Sequence, residues 1–314
     1  RIAIPTDGPR PDDTRRHVER LASEEMDGRR AGSAGEEIAT AYVAGAFADL
    51  GLVPAGTDGY FQPFPFTSGV ALAGHNALAV RADGEEPREL ELDRDWRPLP
   101  FTGVGAVDFA EAVFAGYGIV APAGQDQPAY DAYGDLDVRG KWVVVLRFLP
   151  EDVTPERRQH LNRFSALRFK AGAARDRGAV GLIVVSGPRS QVKDELVPLR
   201  FDGTVAGTSL PAITVVDAVA DRLFRSAGRD LAAAQEALDA GEAVPGFDLP
   251  GARIAAHVSL SFERSTARNV LGRLQVGAAP STEVVVVGAH VDHLGRGEIG
   301  NSLARAGEEG QVHP

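Results

Sequence analysis

Cysteine is absent from all 314 residues, so a disulfide framework, a thiolate metal site and a cysteine nucleophile are excluded. That absence leaves the compartment open. No apolar run approaches the roughly 18 residues that a membrane-spanning helix needs. Basic stripes are missing as well. The formal charge is -11 and the pI is near 5.2, which argues against an electrostatic nucleic-acid binder. No GxSxG elbow is present, which argues against a hydrolase serine of that type. Lysine is scarce beside arginine, while alanine and glycine abound, a coding bias rather than a mechanism. The chain begins at Arg1 without a methionine, so a processed or trimmed start is expected.

What is present suits a globular protein. Apolar residues make up 44% and aromatics 7%, enough to bury a core, and the length allows one to three domains. After an extended lead-in, the sequence predicts a helix over Thr14 to about Met26, with Val18 and Leu21 on one face. The glycine-punctuated loop DGRRAGSAGEE follows, and its Arg29 and Arg30 read as scaffold rather than site. Ser33 followed by Glu36 has the spacing of a capping box, which starts a second helix. Ala39, Val43, Phe47 and Leu50 form its apolar stripe, and Gly51 closes it. Strands are expected through residues 60–92, where YFQPFPF, NALAVRA and RELELD alternate.

Near residue 96 the composition shifts toward proline and glycine, and a second module is expected over 96–251. Its strands are read at Val107–Ile119, KWVVVLRF, Gly181–Val185 and PAITVV, its helices at Phe164–Arg177, from Asp217, and over Leu231–Ala240. Gly246–Gly251 reads as a turn-rich exit. One or two strands follow in HVSLSFERSTARNVLGRLQ.

The sharpest signal lies in EVVVVGAHVDHLGRG. Val284–Val287 reads as a strand buried on both faces, and His290, Asp292 and His293 come at its carboxyl end. In open α/β sheets ligands bind at that end. Imidazole is a common metal ligand, and a carboxylate two residues on can orient it or ligate beside it. Gly295, Gly297 and Gly300 spell GxGxxG, yet no helix pattern follows, so a dinucleotide site is not expected. Glu308 and Glu309 sit in a polar, glycine-flanked loop and read as solvated. His17, His75, His160 and His257 stand alone in sequence and read as surface or packing residues.

VVVVGAHVDHLGRG, preceded by RNVLGRL, resembles the co-catalytic dizinc aminopeptidase family. GRRAGSAGEEIATAYVAGAFADLGLVPAG and GYFQPFPF look like that family's opening helices. VFAGYGI, YDAYGDLDVRGKWVVVL and KAGAARDRGAVGLIVVSGP look like a protease-associated domain inserted into such peptidases. The resemblance implies an α/β fold with a mixed, largely parallel sheet flanked by helices. It assigns residues 1–95 and 252–314 to the peptidase domain and 96–251 to the insert. It makes His290 a zinc ligand and Asp292 the catalytic-site carboxylate that orients it, with no ligand role for His293.

It further implies two zinc ions, a peptide substrate attacked at its amino terminus, and an extracellular or periplasmic location. The family's bridging aspartate, Glu-Glu pair, further acidic ligand and final histidine have no match before Pro314. The rest of a catalytic domain, or another chain, is expected to supply them, and exposed apolar surface is expected without it. Two alternatives stay open: a non-catalytic binding relative, or a carboxypeptidase or glutaminyl cyclase-like member.

Overall fold

The computed structural model describes residues 10–82, 85–124, 126–200, 208–241, 244–275 and 283–295. Helix α1 (Pro11–Leu21), a 3-10 segment at Glu24–Arg29 and α2 (Ala34–Asp49) open the chain. Strands β1 (Val53–Pro54), β2 (Phe61–Leu72), β3 (Ala77–Arg81), β4 (Arg88–Glu89), β5 (Trp96–Pro98) and β6 (Gly105–Phe114) follow. Then come β7 (Val120–Ala121), β8 (Tyr130–Asp131), β9 (Trp142–Leu146), α3 (Pro155–Asn162), α4 (Leu167–Asp176), β10 (Gly181–Val185) and β11 (Ala212–Val215). Helices α5 (Asp217–Ser226) and α6 (Leu231–Asp239) lead to β12 (Phe247–Val258), β13 (Leu260–Val270) and β14 (Gly272–Arg273). The chain divides into two compact units, Val70–Ser261 and the pair of segments Arg1–Gly69 with Phe262–Pro314.

The Val70–Ser261 unit is mixed α/β. Its eight-stranded sheet runs in the order β4-β3-β12-β6-β9-β10-β11-β5, and β7 and β8 pair separately. Strands β6, β9, β10 and β11 are mutually parallel, and the remaining pairings are antiparallel. Central strands with both faces covered should be apolar throughout, and β9, β10 and β11 are buried at every position. Their alternation feeds two cores. Val144, Leu146, Ile183 and Val185 pack with Phe224, Leu231 and Leu238 on the α5–α6 side. Val143, Val145, Leu182 and Val184 pack with Ala171 and Ala174 of α4 on the other. At about 25 cal/mol per Å² of apolar area removed from water, these layers supply the main favourable term of this unit.

The expected exit turn at Gly246–Gly251 is a correction: those residues lie largely inside β12. The register against β6 shifts between Leu249 and Arg253, and Gly251 has φ 81° there. A bulge is one place within a sheet where proline and glycine are tolerated, so PG marks an irregular strand here rather than its absence.

In the other unit, α2 starts where the capping spacing predicts, and the Ser33 side chain accepts the Glu36 N–H at 3.3 Å. The carboxylate does not close the box onto Ser33. It accepts instead from the N–H of Gly32 at 3.2 Å and of Arg268 at 3.1 Å, which ties α2 to β13. Helix α1 is shorter than expected, and Val18 on its surface is 59% exposed.

Candidate functional site

Residues 283–295 carry no regular secondary structure. The buried strand expected at Val284–Val287 is therefore a correction, since those side chains are 81–93% exposed. A strand satisfies its N–H and C=O groups only against a neighbour. Among the described residues, no strand pairs with this run.

The segment is held farther along, at Val291–Gly295, by the turn that follows α1. Asp27, Gly28 and Arg29 adopt left-handed φ values of 48°, 68° and 51° in succession. That reversal aims two carbonyls outward. Arg29 O accepts the His293 N–H at 2.9 Å, and Gly28 O accepts the Gly295 N–H at 3.0 Å. The Arg29 guanidinium donates through Nε to Val291 O at 3.0 Å and through Nη1 to Leu21 O. Gly28 is required by contact as well as by φ, because a Cβ there would stand 2.4 Å from Gly295 O. Arg29, read from sequence as scaffold, touches the motif directly. The clustered glycines of DGRRAGSAG are its one trace in the sequence.

His290 and Asp292 are brought together. Nδ1 of the imidazole lies 3.3 Å from Asp292 Oδ1, with the two side chains 96% and 47% exposed. A carboxylate at Nδ1 favours the tautomer that carries its proton there, which leaves the Nε2 lone pair facing solvent as a donor. His293 contributes its backbone N–H to the anchoring, and its side chain is exposed. Imidazole and carboxylate are the donor types a zinc ion takes, and a catalytic site needs three protein ligands. Among the described residues, no group of three or more His, Cys, Asp or Glu side chains gathers anywhere. Glu308, Glu309, Gly297 and Gly300 lie outside the described residues.

Among the described residues, the other histidines take other roles. His17 Nδ1 is 2.7 Å from the Tyr42 hydroxyl, and His160 Nε2 is 3.0 Å from Pro122 O. His75 and His257 stack with ring centroids 5.5 Å apart.

Within the Val70–Ser261 unit, a groove of about 1030 Å³ is lined in part by Tyr130, Asp131, Asp137 and Asp248. Three of its carboxylates are already engaged: Asp131 with Arg177, Asp137 with Arg139, and Asp248 with Lys141. Burial pushes the Tyr130 hydroxyl up to about 12, and it raises Tyr117 and Tyr133 further. Phenols held so far above neutral pH do not serve as bases there. Lys170 is fully buried and donates to the carbonyls of Leu146, Arg147 and Phe148 at 2.7–3.0 Å. Burial holds its amine well below the usual lysine range, while three carbonyls match the three N–H donors of the ammonium form. It closes the carboxyl end of β9.

No protein-family model matches the chain, and no curated protein does. Among solved structures, it is similar to an aminopeptidase from Aneurinibacillus sp. strain AM-1 at 17% identity. That match covers 83% of this chain and 50% of the other, with a TM-score of 0.37. A peptidase M28 precursor from Shewanella amazonensis is 16% identical, with 90% and 57% covered and a TM-score of 0.36. A zinc aminopeptidase from Bacillus subtilis is 16% identical, with 84% and 47% covered and a TM-score of 0.29. The chain spans about half the length of these proteins. At such TM-scores the likeness assigns neither fold nor activity.

Proposed function

We propose that this chain carries one wall of the metal site of a zinc-dependent aminopeptidase. The observation that carries the reading is the His290–Asp292 pair, with Nδ1 and Oδ1 at 3.3 Å inside a segment whose sequence has the family's His-x-Asp-His form. In this reading His290 ligates zinc through Nε2. Asp292 accepts a hydrogen bond from the Nδ1–H and so fixes the tautomer and the orientation of the ring. When bound, two zinc ions lower the pKa of a water and polarise the scissile carbonyl. The exposure of the His290 ring leaves its Nε2 face open to an ion and to further ligands. Those ligands would come from residues outside 283–295.

Residues 96–251 are the inserted protease-associated domain in this reading. Residues 1–95 and 252–314 belong to the peptidase domain, and the enzyme works on peptides outside the cytoplasm. The test is the full-length gene product: zinc content by atomic absorption, and hydrolysis of a peptide with a free amino terminus before and after chelation. About two zinc ions per chain and activity abolished by chelator are expected. A protein that holds no zinc and shows no chelator-sensitive hydrolysis overturns the reading.

A further inference from the structure

We infer that Arg29 is a positioning residue for the metal site, and that the Asp27–Arg29 turn sets where Asp292 stands. This rests on the peptidase reading of His290 and Asp292 and extends it to residues far away in sequence. The backbone of the motif is held on both sides of Asp292. Val291 O accepts from Arg29 Nε at 3.0 Å, and the His293 N–H donates to Arg29 O at 2.9 Å. One residue thus grips the peptide groups that flank the carboxylate, using its side chain on one and its own carbonyl on the other. The Gly295 N–H on Gly28 O at 3.0 Å closes a third point.

The grip is itself braced. Arg29 Nη1 donates to Leu21 O, so the guanidinium spans from the end of α1 to the motif. Neighbouring Arg30 donates to Ser68 O at 3.0 Å, which fixes the turn from its other end. The Asp292 side chain is half exposed, and its only hydrogen bond to a side chain among the described residues is the 3.3 Å contact to His290. Its position therefore derives from its backbone, and its backbone is held by the turn. A planar guanidinium can serve two carbonyls at a fixed angle, which an ammonium point charge cannot reproduce.

The experiment uses the full-length chain with Arg29→Met, Arg29→Lys and Gly28→Ala. Zinc affinity is read by competition with a chromophoric chelator, kcat and KM with a peptide substrate, and amide exchange over Val291–Gly295. Arg29→Met is expected to loosen zinc and lower kcat by roughly 10-fold or more with KM little changed, as removal of an outer partner of a ligand does. Exchange at the His293 and Gly295 amides should quicken while β9 and β10 stay protected. Arg29→Lys should recover part of the loss, and Gly28→Ala should reproduce it through the backbone. A folded Arg29→Met chain with wild-type zinc affinity and kcat overturns the positioning role and leaves the peptidase reading intact. A wild-type chain that takes no zinc overturns both.

Discussion

The Glu36 carboxylate accepts the backbone N–H of Arg268 at 3.1 Å, although 232 residues separate the two in sequence. Glu36 is 3% exposed, and its other oxygen accepts from Gly32. Arg268 answers with its guanidinium, which reaches Thr40 Oγ1 at 2.7 Å and Glu37 O at 2.6 Å. The first turns of α2 are thereby fastened to β13. Glu36→Gln supplies one acceptor where two are needed and turns an amide donor toward an N–H. It should cost about 1–3 kcal/mol. Amide exchange of the α2 residues measures this, and unchanged protection would contradict it.

Gly181 lies opposite Trp142 in the β9–β10 pair, and a Cβ there would meet the indole ring at 2.2 Å. Trp142 is fully buried in a packed core and cannot step aside freely. Gly181→Ala is therefore expected to destabilise by about 1–3 kcal/mol through overpacking. Both tryptophans, Trp96 and Trp142, sit in this sheet, so their fluorescence during urea unfolding reports it. A midpoint equal to that of the wild type would show that the sheet yields.

Lys170→Met keeps the bulk of the stem and abandons three carbonyls at the end of β9, one buried and two partly buried. A loss of about 2–4 kcal/mol is expected, since unsatisfied buried acceptors carry their full desolvation cost. The effect also depends on pH. The folded amine titrates below its unfolded value, so between the two the unfolded chain holds the extra proton. Stability of the wild type should then rise relative to the variant as pH climbs toward about 10.4, the unfolded lysine value. Parallel pH profiles for the two proteins would refute the depressed amine.

Asp292→Asn and His290→Ala should behave unlike any of these. The His290 side chain is almost fully exposed and that of Asp292 half exposed, so neither variant should shift the thermal midpoint measurably. Zinc binding in the full-length chain is the expected casualty: about 10–100-fold weaker for Asp292→Asn, whose amide no longer fixes the Nδ1 proton, and weaker still for His290→Ala. Equal affinity in wild type and both variants would remove the pair from the site.

Much of the Val70–Ser261 unit could be read in advance because its residues state both preference and neighbours. Trp142–Leu146 and Gly181–Val185 are short, uniformly apolar and spaced by helical stretches, and they are parallel central strands. Val284–Val287 has the same composition and lies in the open. The difference is not in the valines. A local pattern records what a segment favours, and a strand also needs a partner for its backbone. Pro250 and Gly251 misled in the opposite direction, because a bulge and a turn use the same residues.

The His-x-Asp-His cluster was visible because its members are neighbours in sequence. Its grip by Arg29 was not, since that contact joins positions 262 apart and ends on a backbone carbonyl of the kind every residue carries. Nothing in the letters Asp-Gly-Arg announces three left-handed residues in a row, two of which are not glycine.

The bare valines have a consequence for handling. Val284–Val287 with Gly288 and Ala289 is an uncharged, β-prone hexad in which each valine is more than four-fifths exposed. Such a segment pairs readily with its own kind across molecules. Samples of this chain should self-associate as concentration rises, seen as growing light scattering and thioflavin binding. A charge at Val285, as in Val285→Lys, should act as a gatekeeper and restore solubility without touching either packed core.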